Sequence, residues 1–121
     1  MSRLALAALP AAVVAAAAIV GSAGASTAKL EGTVGPGFTI ELKQGGKDVK
    51  TLAAGRYRIK VEDKGSIHDF HLFGPGGVNR KTGISFTGTQ TWTVTLKPGR
   101  YTYQCDPHAA LGMKDTFRVK R

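Results

Sequence analysis

The chain has 121 residues, 17 basic and 8 acidic side chains, and a formal net charge of +9. This length suits one small domain with one core, and the single cysteine excludes an internal disulfide. The positive charge favours acidic partners by electrostatic steering, but it does not identify them. Because the basic residues form no run of five or more, the sequence has no polybasic tail.

The first 25 residues have the layout of a secretory signal peptide. Arg3 precedes the apolar stretch Leu4–Val20, and small residues then lead to an Ala-x-Ala motif that ends at Ala25. We expect cleavage after Ala25, with cleavage after Ala28 as the second choice. An uncleaved membrane anchor is disfavoured, because the apolar run is short and contains Pro10. The predicted protein is therefore exported, periplasmic or extracellular, with no stable membrane insertion after cleavage and no nucleic acid partner.

The remaining chain, residues 26–121, is predicted to be a single domain of short strands separated by glycine and proline. Apolar and polar residues alternate in most of these segments, as is typical of half-buried strands. The predicted strands are Leu30–Val34, Phe38–Lys43, Tyr57–Glu62, His68–Phe73, Trp92–Leu96, Tyr101–Cys105 and a last strand that contains Phe117 and Val119. Residues 78–90 are predicted to be a loop, with room for one short strand.

One short sequence pattern occurs twice in the chain and bears on the architecture. Thr51–Tyr57 and Thr95–Tyr101 are similar in sequence, and each is predicted to be a tight turn that delivers an aromatic residue into a new strand. No segment has a convincing helical period. The fold class is therefore predicted to be all-β, an antiparallel sandwich or barrel, and two such corners are expected of a Greek-key β-sandwich.

One short run of the chain concentrates side chains that bind metals. Cys105, His108 and Met113 fall within nine residues, and the chain has no other cysteine and no other methionine besides Met1. A thiolate, an imidazole and a thioether together suit copper in both of its common oxidation states. Zinc sites essentially lack thioether ligands, and an iron–sulfur centre needs more cysteines, so both are disfavoured.

The fourth donor has to come from one of the two upstream histidines. Alternation along the predicted strand places His68 and Phe70 on one face, and Asp69 and His71 on the other. The two histidines therefore cannot be equivalent ligands. Two imidazoles, one thiolate and a weak axial thioether form the blue-copper arrangement used for electron transfer.

Residues 61–113 resemble the cupredoxin family, most closely its small plastocyanin-type and pseudoazurin-type members. The matching motifs are an upstream histidine at the head of a strand and the later sequence Tyr-x-Cys-x-Pro-His-x4-Met. The resemblance implies a Greek-key β-sandwich that binds one copper ion, with the ligands His68, Cys105, His108 and Met113. His71 is then expected at the surface or around the ligands.

One residue next to the first ligand departs from the family pattern. The family usually has Asn there, whose side chain ties the two ligand loops together, and this chain has Asp69. A carboxylate can accept backbone N–H bonds but cannot donate unless it is protonated. If Asp106 comes close, the two carboxylates repel each other or the pKa of one of them rises. The expected effect is a changed reduction potential or a less rigid metal site.

The resemblance implies an exported type 1 (blue) copper protein that carries single electrons between redox partners, cycling between Cu(II) and Cu(I). We expect a monomer. We also expect no enzymatic activity, because the chain is too short and has too few histidines for the additional copper centres of a multicopper oxidase or nitrite reductase. Transient partners with an acidic surface would dock where His108 is exposed through an apolar collar of Pro107, Ala109, Ala110 and Leu111. The alternative is an extracytoplasmic copper-handling protein that stores or delivers the ion without a redox partner.

Overall fold

The computed structural model describes residues 27–121, which form two five-stranded β-sheets around one hydrophobic core. Within this range, no helix has the length and apolar character needed to span a membrane. The signal peptide predicted over residues 1–25 lies outside the described residues and stays a prediction.

The strands divide evenly between the two sheets. Sheet I has the order β3-β2-β1-β5-β8, with β1 Ala28–Val34, β2 Ile40–Gln44, β3 Lys47–Asp48, β5 Gly55–Asp63 and β8 Gly88–Leu96. Sheet II has the order β4-β10-β9-β6-β7, with β4 Thr51–Ala53, β6 His71–Gly74, β7 Val78–Lys81, β9 Gly99–Gln104 and β10 Lys114–Lys120. Two 3₁₀ turns, Pro75–Gly77 and Asp106–Leu111, complete the regular structure of the described residues.

Each sheet contains one parallel strand pair among antiparallel ones. Strand β1 runs parallel to β5, from Ala28 opposite Tyr57 to Val34 opposite Asp63. Strand β4 runs parallel to β10. The predicted all-β sandwich is confirmed, with the difference that its sheets are mixed rather than purely antiparallel.

The core forms because apolar side chains alternate with polar ones along the longer strands. In β5, Tyr57, Ile59 and Val61 face inward, while Arg58 and Lys60 lie on the exposed face. The core also receives aromatic side chains from sheet II and from the segment before it: Phe70, Tyr101, Tyr103 and Phe117. The ring of Phe70 stacks on Tyr103 with a centroid distance of 5.6 Å, so the aromatic layer extends to the segment that carries His68.

The two predicted corners are present and share one hydrogen-bond pattern. The Tyr57 hydroxyl donates to the carbonyl of Ala53 at 2.6 Å, and the Tyr101 hydroxyl donates to the carbonyl of Lys97 at 2.9 Å. Both bonds span four residues, and Tyr101 also accepts the backbone N–H of Lys97 at 2.9 Å. The repeated sequence pattern therefore corresponds to two tyrosine-fixed turns, one preceding β5 and one preceding β9.

The predicted strand over His68–Phe73 is wrong in its first half, because regular pairing begins only at His71. The backbone N–H of Phe70 donates instead to the hydroxyl of Thr82, at 3.0 Å. The N–H of His68 bonds locally, to the carbonyl of Gly65 at 3.1 Å, and residues 64–70 form an irregular connection rather than a strand. Residues 78–90 are more regular than predicted, since they contain β7 and the start of β8.

Close packing at Gly74 gives a first prediction about stability. A Cβ atom at this position would lie 2.8 Å from Cγ of the buried Tyr101 ring, which is held by its corner hydrogen bonds. We expect Gly74→Ala to lower the free energy of unfolding by about 1–3 kcal/mol, the usual cost of overpacking. Urea unfolding measures this change. Gly37→Ala is the matched control, because Gly37 is exposed and a Cβ there would meet nothing within 4 Å; equal midpoints for the two variants would contradict the prediction.

Candidate metal centre

A short hydrogen-bonded loop between β9 and β10 carries three of the predicted ligands. The backbone N–H of Cys105 donates to the carbonyl of Met113 at 3.0 Å, which closes the loop at its base. The N–H of His108 donates to the carbonyl of Cys105 at 3.0 Å, and that of Met113 to the carbonyl of His108 at 3.3 Å. Gly112, with φ 102°, supplies the left-handed conformation that ends the 3₁₀ turn. The backbone thus holds Cys105, His108 and Met113 in a fixed relation.

The thiol and two imidazoles converge at one point. Nδ1 of His68 lies 3.1 Å from Nδ1 of His108, and Sγ of Cys105 lies 3.6 Å and 3.4 Å from these two atoms. Donor atoms that share one ion at about 2.0–2.3 Å are separated by roughly 3–4 Å, so the three atoms fit a single metal ion. Cys105, His68 and Met113 are buried, and His108 is half-buried. His71 lies outside this cluster.

The segment that carries His68 is held by two buried polar side chains. Asp63, at the end of β5, accepts hydrogen bonds from the backbone N–H of Gly65 at 3.1 Å and from the hydroxyl of Thr82 at 3.0 Å. Burial raises the pKa of Asp63, and these two hydrogen bonds oppose the rise. The Thr82 hydroxyl that donates to Asp63 also accepts the backbone N–H of Phe70. The chain is therefore held by hydrogen bonds both before and after His68. The sequence signal we missed is an acidic residue at an inward position of β5, two residues after Val61.

Removing the Thr82 hydroxyl tests this support. Thr82→Val leaves the buried N–H of Phe70 and the carboxylate of Asp63 each without one partner, so we expect a loss of about 1–3 kcal/mol in the free energy of unfolding. Thr93→Val, at an exposed position of β8, is the matched control and should change stability by less than about 0.5 kcal/mol. Equilibrium unfolding of both variants gives the comparison, and equal effects would contradict the role of Thr82.

Asp69 joins the His68 segment to the Cys105 loop. Its Oδ1 accepts the backbone N–H of Asp106 at 2.6 Å, which is the acceptor role expected of a carboxylate at this position. The alternation argument placed Asp69 on the face opposite His68 and Phe70, but Asp69 is also buried, because residues 64–70 are not a strand. Burial raises the pKa of Asp69, and the nearby charge of Asp106 adds to the rise.

His71 and Asp106 form a polar group on the outer side of the loop. Nδ1 of His71 donates to Oδ1 of Asp106 at 2.8 Å, and its Nε2 lies 2.6 Å from Oδ1 of Asn79. Desolvation opposes ionisation of Asp106, but hydrogen bonds from Gln104 and His71 outweigh it and lower the pKa of Asp106. His71 therefore braces the loop residue next to Cys105 from β6.

The environment of Cys105 favours the neutral thiol when no metal is present. Burial raises the pKa of the thiol, against hydrogen bonds from the backbone N–H groups of Asp69 and His108. The charges of Asp69 and Asp106 raise it further. A metal that takes the sulfur as thiolate therefore has to displace a proton.

Phe38 is a site residue that the sequence analysis missed. Its ring lies 4.6 Å from the His108 ring and 5.3 Å from the His68 ring, measured between centroids. It was predicted to begin a strand, but β2 begins at Ile40 and Phe38 is 57% exposed. Its position directly after a Gly-Pro-Gly turn was the available signal. Leu111 and Ile67, also exposed, add to the apolar surface of the two loops that carry His108 and His68.

A β-sandwich with one thiol and two imidazoles converging between a loop and a neighbouring segment defines a copper protein of the cupredoxin class. Residues 38–120 match the family of copper binding proteins, plastocyanin/azurin family, and the chain belongs to that family. The predicted family and the predicted copper cofactor are confirmed.

Solved structures of rusticyanin are similar to this chain. Reduced rusticyanin is 26% identical, with 78% of this chain and 79% of that chain covered and a TM-score of 0.59. Rusticyanin from Thiobacillus ferrooxidans is 27% identical, with 78% and 77% covered and a TM-score of 0.55. These likenesses agree with the two-sheet architecture described above.

Proposed function

We infer that the protein is an exported one-electron carrier in which His68, Cys105, His108 and Met113 hold a single copper ion. The observation that carries this inference is the convergence of Sγ of Cys105 with Nδ1 of both histidines, in a loop whose base also holds Met113. Copper bound there supplies a change of one electron between Cu(II) and Cu(I). Export is supported by the sequence of residues 1–25.

The residues of the chain restrain the ligands in a way that suits rapid electron transfer. Cys105 and Met113 are bonded to each other through the backbone at the loop base, and the Asp69–Asp106 hydrogen bond joins the loop to the segment that carries His68. Ligands that cannot move far keep the geometry similar in both oxidation states. A small geometric change lowers the barrier to transferring an electron.

The half-buried ring of His108 is the ligand through which we expect electrons to enter and leave the site. Phe38 and Leu111 are exposed beside or near it, whereas His68 and Cys105 are buried. An apolar surface of this kind suits weak, transient docking by redox proteins. Without Arg3, which belongs to the predicted signal peptide, the chain has 16 basic and 8 acidic side chains, and this net charge of +8 supports partners with an acidic docking surface.

Redox cycling of the copper-loaded protein tests the proposal. We expect an intense visible absorption that disappears on adding one electron per copper and returns fully on reoxidation, with the copper resisting transfer to a chelator throughout. Rapid loss of copper to the chelator would instead favour the copper-handling alternative. A protein that fails to bind copper or cannot be cycled would refute the proposal.

A charged residue at the apolar surface should slow electron transfer. Leu111 is 72% exposed in the ligand loop, and Leu111→Glu would place an unpaired charge in any contact formed there. We expect the rate of electron exchange between the Cu(I) and Cu(II) forms to fall about tenfold, equivalent to about 1.4 kcal/mol. Ala53→Glu is the matched control, since Ala53 is exposed on β4 and pairs with Lys120 at the far end of sheet II. Equal rates in the two variants would contradict docking at Leu111.

A further inference from the structure

A groove on the outer face of sheet II is lined by basic side chains and by no acidic one. It has a volume of about 460 Å³ and lies over β4, β9 and β10. Besides Phe117, its lining consists of four basic residues and two threonines: Lys50, Arg100, Arg118, Lys120, Thr51 and Thr116. We call this feature the basic groove.

The register of the strands brings like charges together in the basic groove. Arg100 and Arg118 are directly opposite each other across the antiparallel β9–β10 pair, and both are exposed. Like charges in this arrangement destabilise a sheet. Among the described residues, the only ion pairs are Lys43 with Glu41 and His71 with Asp106, so the arginines have no acidic partner. The repulsion between them is left uncompensated by the protein.

The opposite face of the molecule shows what a compensated surface looks like. On sheet I, Lys29 and Arg58 are also directly opposite each other, across the parallel β1–β5 pair. There, however, the neighbouring pair is Glu31 with Lys60, and Glu31 lines the same depression. On sheet I the cations are thus interleaved with a carboxylate. In the basic groove no carboxylate lies between them.

The basic groove lies away from the copper ligands. Arg100 stands near the start of β9, and Cys105 follows the end of that strand. At roughly 3.3 Å per residue along a strand, five residues separate them by about 16 Å. Arg118 likewise lies toward the end of β10, whereas Met113 precedes its start. The groove is therefore separate from the apolar surface around His108, and a ligand bound in it would be distinct from a redox partner.

We propose that the basic groove is a binding site for a phosphate-type oxyanion, either free phosphate or the phosphate of a lipid headgroup. Guanidinium groups present planar pairs of N–H donors that match two phosphate oxygens, and such charge-assisted bonds are stronger than neutral ones. Thr51 and Thr116 add hydroxyl donors to the lining of the groove. A bound oxyanion would also relieve the repulsion between Arg100 and Arg118.

Titration of the copper-loaded protein with inorganic phosphate, at ionic strength held constant with chloride, tests the proposal. We expect a saturable rise in the melting temperature and saturable shifts of the amide resonances of β9 and β10, with no change in the visible spectrum. The double variant Arg100→Gln/Arg118→Gln should bind at least tenfold more weakly. The double variant Lys29→Gln/Arg58→Gln is the matched control, because it removes the same charge from a directly opposed pair on sheet I.

The groove variant also has a built-in check on folding. Because it removes a like-charge pair, it should be no less stable than the wild-type protein in chloride alone.

Vesicles of phosphatidylcholine with and without phosphatidylglycerol distinguish free phosphate from a lipid headgroup as the ligand. Vesicle binding that needs phosphatidylglycerol and Arg100 and Arg118 assigns the site to a lipid headgroup, and phosphate binding without vesicle binding assigns it to the free anion. No saturable response to either probe, or equal loss in both double variants, would overturn the proposal.

Discussion

Replacing Cys105 by serine is expected to abolish the intense visible absorption of the copper-loaded protein and to weaken copper binding by more than about 100-fold. Substitution of a residue that only hydrogen-bonds to a metal ligand commonly lowers metal affinity 10–100-fold, so loss of a ligand itself should lower it more. The absorption depends on charge transfer from the thiolate, and a serine hydroxyl has no equivalent. Sγ of Cys105 lies 3.4–3.6 Å from Nδ1 of both histidines, and among the described residues no further His, Cys, Asp or Glu belongs to this cluster. Visible spectroscopy and competition with a chelator measure the two effects.

A pair of histidine variants is the control for this result. His68→Gln removes a donor nitrogen from the cluster and should also abolish the visible absorption. His71→Gln should keep it, because the ring nitrogens of His71 face Asp106 and Asn79. Metal-free protein with Cys105→Ser should stay folded, since serine is close to cysteine in size. Colour that survives Cys105→Ser, or that is lost equally in both histidine variants, would refute the ligand assignment.

Copper uptake should strengthen with rising pH, and this is the second large effect we expect. Burial raises the pKa of the Cys105 thiol, so near neutral pH the metal-free protein carries a proton on sulfur. The thiolate fraction then grows about tenfold for each pH unit below that pKa, and apparent affinity grows with it. Between about pH 7 and about pH 9 we expect roughly a 100-fold gain.

The same pKa shift has an opposite consequence for the metal-free fold. Because the folded thiol holds its proton more tightly than the unfolded one, its contribution to stability is complete below the unfolded pKa. That contribution is lost as pH rises through the folded pKa. Chelator competition, corrected for the protonation of the chelator, measures the first effect, and unfolding of the metal-free protein measures the second. An affinity that does not vary with pH, or that varies equally in Cys105→Ser, would contradict the assignment of the proton to this thiol.

The sequence was most informative where local spacing determines structure. Alternation in β5 and β8 predicted both strands, since a strand with one buried face requires it. The spacing of Cys105, His108 and Met113 predicted a loop that brings donors together, because the loop closes on itself with local hydrogen bonds. These features depend on residues near one another in the chain.

What the sequence did not predict depends on contacts between distant residues. Asp63 and Thr82 are 19 positions apart, and their hydrogen bond is visible only when the ends of β5 and β7 are brought together. Phe38 reaches the imidazole of His108 from the other sheet's first hairpin, 70 positions earlier in the chain. The strand predicted from His68 fails over residues 68–70, where the N–H of His68 bonds locally to Gly65 and the N–H of Phe70 donates to the distant hydroxyl of Thr82.

The parallel pairing of β1 with β5 has a consequence for how the chain is made. Parallel neighbours cannot be joined by a tight turn, and residues 35–54, which include β2, β3 and β4, separate β1 from β5 in the chain. Strand β1 begins at Ala28, just beyond the predicted signal peptide, and it lies at the centre of sheet I. The first part of the domain to emerge from a ribosome is therefore a central strand without its neighbour. Sheet I therefore cannot be completed until residues 55–63 have followed, and the pairing at its centre joins segments that are distant in the chain, which is a slow step in folding.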